Sequence, residues 1–341
     1  MESNSYTFNF KSGLLTFSSF LIVVMLMSFC VEEGFKSLDS NSNIGRSISS
    51  NSDIYKDYSY LFIGDSRTHQ GVDSRYFNQL MNLEYAGSYN LGRPGMQAPF
   101  SYFILRDYLE NNQSTKLDTV YVQFSFYLLG GQQWMKDIYF SYYKPKIWMV
   151  SDAVSKQLVT PMEAVKWFFY PRVSLLRHRK RATGLIKIVS EKKLHEIAEI
   201  ISSISETRAE MFDSRSFGYL SRGSDYIVDS DIKPTVYREG IERGYSLYFK
   251  YMKKFFDLAT KYKFQIIVYD FPWPKKQVEI NETFLPAHSY YKKLIKKQAE
   301  NNSNVIFKEY DFLWENRYFV DPLHLNQPGA EKLTEILARW Q

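Results

Sequence analysis

The chain has 341 residues, 45% of them apolar and 17% aromatic, with 27 Tyr and 26 Phe; this is ample for a large packed domain and excludes a disordered chain. A formal charge of +6, from 43 basic and 37 acidic residues, suits an anionic surface such as lipid head groups or an acidic polymer, and no nucleic-acid-binding motif accompanies it. The lone Cys30 excludes an intramolecular disulfide and any CxxC site, and His69, His178, His195, His288 and His324 lack paired metal-ligand spacing, so neither metal nor cofactor is expected.

Ser12 to Val31 carries no charge. As a helix it would be about 30 Å long, the thickness of a bilayer's hydrocarbon core. Lys11 before it and Glu32 and Glu33 after it orient it with residues 1–11 as a cytoplasmic tail and the rest of the chain outside. The span is read as an uncleaved signal anchor, with a cleaved signal peptide as the alternative. Residues 32–57, Ser- and Asn-rich over 37–53, read as a flexible linker.

From Tyr58 onward strand and helix signals alternate, which predicts an α/β domain with a mostly parallel sheet over 58–341. In chain order the pattern predicts a strand at Leu61–Ile63, a helix over Val72–Leu83, and a strand at Tyr85–Leu91. A helix over Ala98–Glu110 and a strand at Thr119–Phe124 follow. After the long interruption come a helix over Glu239–Tyr262, a strand at Phe264–Tyr269 stopped by Pro272 and Pro274, and a helix over Ala287–Asn301. A strand at Asn304–Phe307 and a helix over Glu331–Trp340 close the chain. The stretch from about 130 to 238 breaks this rhythm and reads as a largely helical insertion. Its basic block (Arg172, Arg177, Arg179, Lys180, Arg181, Lys187) interleaves Leu175, Leu176, Leu185 and Ile186, as a solvated helix face or a surface for membrane or an acidic partner would.

Two segments at opposite ends carry the chemistry. Gly64-Asp65-Ser66-Arg67 follows the apolar run Tyr60–Ile63, so Ser66 leaves the end of a buried strand, where a following helix offers backbone N–H groups to a developing oxyanion. A serine hydroxyl is a poor nucleophile without a base. Asp321-Pro322-Leu323-His324 supplies a candidate base, His324, and a group to orient it, Asp321. Between them the loop Gly92-Arg93-Pro94-Gly95 follows a strand, and a glycine there presents its amide without steric interference. The bland alternatives are an ordinary strand-ending turn, a Pro-Gly turn and a helix-capping loop. His69 is expected on an exposed helical face, with lining of the site as the alternative.

In this order, Gly-Asp-Ser near the start, Asn-x-Gly-x-x-Gly after a second strand and Asp-x-x-His near the end resemble the SGNH or GDSL hydrolase superfamily. The resemblance covers Tyr58 to the C-terminus without the insertion. It implies a flavodoxin-like three-layer α/β/α fold, Ser66 as nucleophile, His324 as base, Asp321 orienting it, and an oxyanion hole from the amides of Ser66 and Gly95. The family's third block, Gly-x-Asn-Asp after the third strand, carries an Asn that completes that hole. This chain has Val122-Gln123-Phe124-Ser125 there, so Ser125 is the expected weaker donor, with Gln123 as a lesser substitute. The departure, the anchor and the insertion together resemble the membrane-anchored branch that works with multi-spanning O-acyltransferases on alginate or teichoic acids. The expected activity is acyl transfer to, or ester hydrolysis on, an extracytoplasmic cell-envelope glycan, with a membrane-bound O-acyltransferase as possible partner. An inactive anchored scaffold that binds polymer, and an esterase acting on lipids, are the competing readings.

Overall fold

The computed structural model describes residues 56–83, 87–93, 95–112, 116–124, 145–170 and 240–341, with 240–248 as backbone only. The expected anchor at 12–31, the linker before residue 56, Ser125, and the insertion before 145 and after 170 lie outside these residues. Among the described residues no helix is long and apolar enough to cross a membrane. They fall into two units, one holding the sheet and one holding residues 145–170.

The sheet unit is a three-layer α/β fold. Five parallel strands, β1 (Tyr60–Ile63), β2 (Ser88–Asn90), β3 (Thr119–Phe124), β4 (Gln265–Asp270) and β6 (Val305–Lys308), run in the order β2-β1-β3-β4-β6. Pairing is in register from Tyr60↔Ser88 through Val120↔Ile266 to Ile266↔Val305. Parallel strands are covered on both faces, so they read as continuous apolar runs rather than alternating ones. Accordingly β1 after Tyr60 and all of β3 are buried. A second, two-stranded sheet pairs β5 (Trp273–Pro274) with β7 (Leu313–Trp314).

Side chains alternate across the strands. Phe62, Tyr121, Ile267 and Tyr269 share one apolar cluster with Val72, Phe77, Leu333 and Leu337. These last come from the layer of α1 (Ser66–Gly71), α2 (Ser74–Leu80) and α9 (Gln327–Ala338). Leu61, Ile63, Val120, Val122, Ile266 and Val268, all buried, face the opposite layer of α3 (Ala98–Asn111) and α6 (Gly240–Tyr262). There the Tyr251 ring lies 5.5 Å from Phe103 and 5.8 Å from Tyr102. After α7 (Lys275–Glu279), α8 (Phe284–Glu300) packs against β6.

Several elements differ from the sequence pattern. The helix expected over Val72–Leu83 is the shorter α2, Ser74–Leu80, set off from α1 before it. Asp73 accepts from the amides of Arg75 and Tyr76 and so starts α2 afresh, while Val72 is extended at φ −122°. Helix α8 begins at Phe284 rather than Ala287, because a proline in a first turn lacks only an N–H that has no helical partner there. For the same reason α9 starts at Gln327, with Pro328 in its first turn and Asn326 as cap. The sheet β5–β7 was not legible in two-residue runs.

The other unit's described residues form α4 (Ile147–Ser155) and α5 (Pro161–Phe169). A capping box between Thr160 and Glu163 starts α5. Ala164 and Trp167 are buried, and Met162, Val165 and Phe169 are exposed.

Candidate active site

Ser66 is the first residue of α1, directly beyond the C-terminal end of β1. The turn is made by Gly64 and Asp65. A Cβ at Gly64 would overlap Thr68 Oγ1 and lie 2.5 Å from Gln123 Oε1, so only glycine lets the chain pass. Asp65 caps the helix by accepting from the Arg67 amide at 2.9 Å. Its carboxylate also receives Arg67 Nη2 at 2.7 Å and Nε at 3.1 Å. The Arg67 guanidinium lies 4.9 Å from the Trp273 ring and 5.5 Å from Phe271. Burial pushes the Asp65 carboxyl up, but the Arg67 charge and the hydrogen bonds from Arg67 and Gln123 outweigh it and hold the group below the usual aspartate range. Amid these buried neighbours Ser66 keeps partial exposure.

The C-terminal segment arrives at the same place. Phe319 and Leu325 form an antiparallel bridge, and the Val320 amide donates to the His324 carbonyl at 2.9 Å, closing a tight loop over 320–324. Leu325, 2% exposed, docks where a Cβ on Gly71 would lie 3.2 Å from its Cδ1 and 2.9 Å from Phe271. The absence of a side chain at Gly71 thus lets the histidine loop seat against the end of α1. Asn326 continues the anchoring, accepting from Gly329 N and donating to the Arg317 carbonyl.

The three expected residues meet here. His324 Nε2 lies 2.9 Å from Ser66 Oγ. His324 Nδ1 lies 2.8 Å from Asp321 Oδ2 and 3.0 Å from Oδ1. The amides of Leu323 and His324 also donate to Asp321 Oδ1, at 2.8 and 3.0 Å, so the carboxylate is aimed by the backbone as well as by the ring. Burial pushes the Asp321 carboxyl up, but the hydrogen bond from His324, its charge and the two amides hold it below the usual range. With Asp321 on Nδ1, the neutral imidazole keeps its proton on that nitrogen and turns an acceptor, Nε2, to the serine hydroxyl.

The glycine loop lies against the same turn. The Arg93 amide donates to the Gly64 carbonyl at 3.0 Å, and a Cβ on Gly92 would come within 2.6 Å of the His69 amide nitrogen. Gly95 has φ 69°, in the left-handed region that glycine adopts without strain. His69 is 5% exposed, which corrects the expectation of an exposed position: α1 is short and the Gly92 loop covers it.

Two further residues position the turn and the glycine loop. Asn90, at the end of β2, donates to the carbonyls of Thr68 and Val72 at 2.9 and 2.8 Å and accepts from Gly92 N at 2.9 Å. It is the asparagine of the Asn-x-Gly-x-x-Gly pattern. Gln123 is fully buried, its Oε1 accepting from Thr68 N and Oγ1 and its Nε2 donating to Asp65 Oδ1. Its carboxamide is thus engaged under the serine turn.

A second His–carboxylate pair stands apart from this site. Asp270, at the end of β4 and fully buried, receives His288 Nε2 at 2.9 Å and Lys292 Nζ at 2.6 Å. His288 stacks between Phe284 and Phe312, a packed ionic junction between β4 and α8. Among the described residues no cluster of His, Cys, Asp or Glu has the arrangement to hold a metal ion.

Fold and site together define a parallel α/β domain carrying a hydrogen-bonded Ser–His–Asp series at the carboxyl end of its sheet. No protein-family model matches the chain, and no curated protein matches it.

Proposed function

We propose that this chain is a serine-dependent acyl-transfer protein of the SGNH type, an esterase or O-acyltransferase, that works on a cell-envelope glycan outside the membrane to which residues 12–31 anchor it. The observation that carries the reading is the 2.9 Å contact from His324 Nε2 to Ser66 Oγ, with Nδ1 held by Asp321. Strand order supports it: the sheet strands follow the doubly wound 2-1-3-4-5 sequence of flavodoxin-like folds, whose ligands bind beyond the carboxyl ends of the strands at the switch point. Ser66 follows the carboxyl end of β1, between β2 and β3.

In the proposed reaction His324 Nε2 takes the hydroxyl proton as Ser66 Oγ bonds to the acyl carbon of an ester. The carbonyl oxygen becomes an oxyanion, received by the amides of Ser66 and Gly95. Collapse breaks the bond to the leaving alkoxide, which takes the proton from His324, and leaves an acyl-Ser66. An acceptor hydroxyl, of a glycan or of water, then gives its proton to His324 and bonds to the acyl carbon, and Ser66 leaves with that proton. Whether the acceptor is glycan or water separates transferase from hydrolase. Ser125, the other expected donor, lies outside the described residues.

The test is turnover of a chromogenic acetyl ester by the full chain, alongside labelling of Ser66 by a fluorophosphonate. Ser66→Ala and His324→Ala are expected to abolish labelling and to lower any turnover. Equal turnover and retained labelling in both variants overturn the triad.

A further inference from the structure

We propose that Gln123 is the positioning residue of the serine turn, holding the Asp65 carboxylate before Ser66 and the Thr68 amide and hydroxyl after it, so that one amide stays available to the oxyanion. The proposal rests on reading Ser66 as the nucleophile. Gln123 lies on β3, beside the strand that ends at the serine turn, and is fully buried. Its carboxamide bonds the residue before the serine and a residue after it: Nε2 donates to Asp65 Oδ1 at 3.1 Å, while Oε1 accepts from Thr68 N at 3.1 Å and Thr68 Oγ1 at 2.5 Å.

The consequence lies in the first turn of α1, where helix amides have no helical acceptor. Arg67 N is taken by Asp65 and Thr68 N by Gln123. The Ser66 amide is the remaining donor of that turn. Gln123 therefore does indirectly what the resemblance assigned to an Asn side chain: it does not bind the oxyanion, but it holds the group that does. The tolerance is small, since a Cβ on Gly64 would meet both Thr68 and Gln123.

The role needs an acceptor and a donor on one planar head. Methionine, of similar length, supplies neither. An ionised Glu supplies acceptors only and sets a second negative charge against Asp65, whereas a protonated Glu again offers one donor and one acceptor. The experiment measures the initial rate of Ser66 labelling by a fluorophosphonate in the full chain, taken as a ratio to wild type at each pH. Gln123→Met is expected to slow labelling roughly 10- to 100-fold, the size expected of a small misplacement of reacting atoms. For Gln123→Glu the ratio is expected to rise toward one as pH falls, a response that simple loss of packing would not give. A wild-type rate in Gln123→Met with a pH-independent ratio in Gln123→Glu overturns the inference alone. Should Gln123→Met fail to fold, the pH course of Gln123→Glu decides, a flat ratio being the refutation. A wild-type chain that does not label overturns the nucleophile reading and the inference with it.

Discussion

At the scale of single residues the site separates groups aimed by the backbone from groups aimed by side chains. Asp321 receives two amides in addition to the His324 ring, so Asp321→Asn is expected to keep the loop while presenting His324 with the wrong partner. An Asn oxygen still accepts from Nδ1, but the negative charge that stabilises an imidazolium is gone. In the proposed reaction turnover of a chromogenic ester is expected to fall by about 10²- to 10⁴-fold, as for comparable triads, and the thermal midpoint at neutral pH to fall by the contribution the ionised Asp321 makes. The same carboxylate sets a pH dependence. A group whose folded pKa lies below its unfolded value stabilises above the unfolded value and loses that contribution as pH falls through the folded one. Asp65 and Asp321 are both held low, so stability is expected to decline from about pH 4, the ordinary aspartate range, downward. A thermal midpoint measured against pH checks this, and Asp321→Asn should flatten part of the slope.

At the scale of elements, caps and side-chain hydroxyls decide where helices start and what they hold. Asp73 accepts two amides and restarts the chain as α2. Asp73→Ala is expected to destabilise by about 1 kcal/mol, read from a chemical denaturation midpoint. Tyr121 is a link between layers: its hydroxyl donates to the Leu337 carbonyl at 2.8 Å and accepts from Gln341 at 2.7 Å. Desolvation raises its pKa far above the ordinary phenol, consistent with a permanently neutral donor. Tyr121→Phe leaves the Leu337 carbonyl without that donor and is expected to cost roughly 1–3 kcal/mol. Leu333 on α9 is fully buried against the β1–β3–β4 face. Leu333→Ala is expected to cost about 2–5 kcal/mol by the cavity it leaves, and calorimetry of the full chain reads it.

At the scale of the whole molecule, residues 66 and 324 meet because the last helix returns to the face that carries the first. Helix α9 packs on α1 and α2, Thr334 Oγ1 accepts from the Asp73 amide, and Glu335 accepts from the Tyr76 hydroxyl. Gly71 is the seat for Leu325. Gly71→Val is therefore expected to lower the rate of Ser66 labelling by at least roughly tenfold through a displaced histidine loop, the size expected of a small misplacement. The His288–Asp270 junction, distant in sequence from both ends, should remain intact, and the imidazole resonances of His288 and His324 would report the two separately.

Much of the fold was legible because its signals are local. The apolar run at Leu61–Ile63, the β-branched and aromatic run at Thr119–Phe124 and the alternation with helices specify buried parallel strands, and Thr119–Phe124 falls where the pattern placed it. Ser66, Asp321 and His324 stood out because strand-end, turn and Asp-x-x-His patterns are short. The start of α2 at Asp73, the start of α8 and the sheet β5–β7 were not legible. They depend on one cap, a tolerated first-turn proline and two-residue pairings whose partners lie some 40 residues apart in sequence. The role of Gln123 was hidden for a related reason. A glutamine's two hydrogen-bonding ends carry no period, and its partners at 65 and 68 belong to another strand–helix turn. By itself the sequence determined the class of fold and the residue types available for chemistry, since hydrophobic period and turn chemistry act over a few residues. Only the tertiary structure decided that the two chain ends share one site and which buried amide holds it. Those are contacts between elements far apart along the chain, set by close packing rather than by local preference.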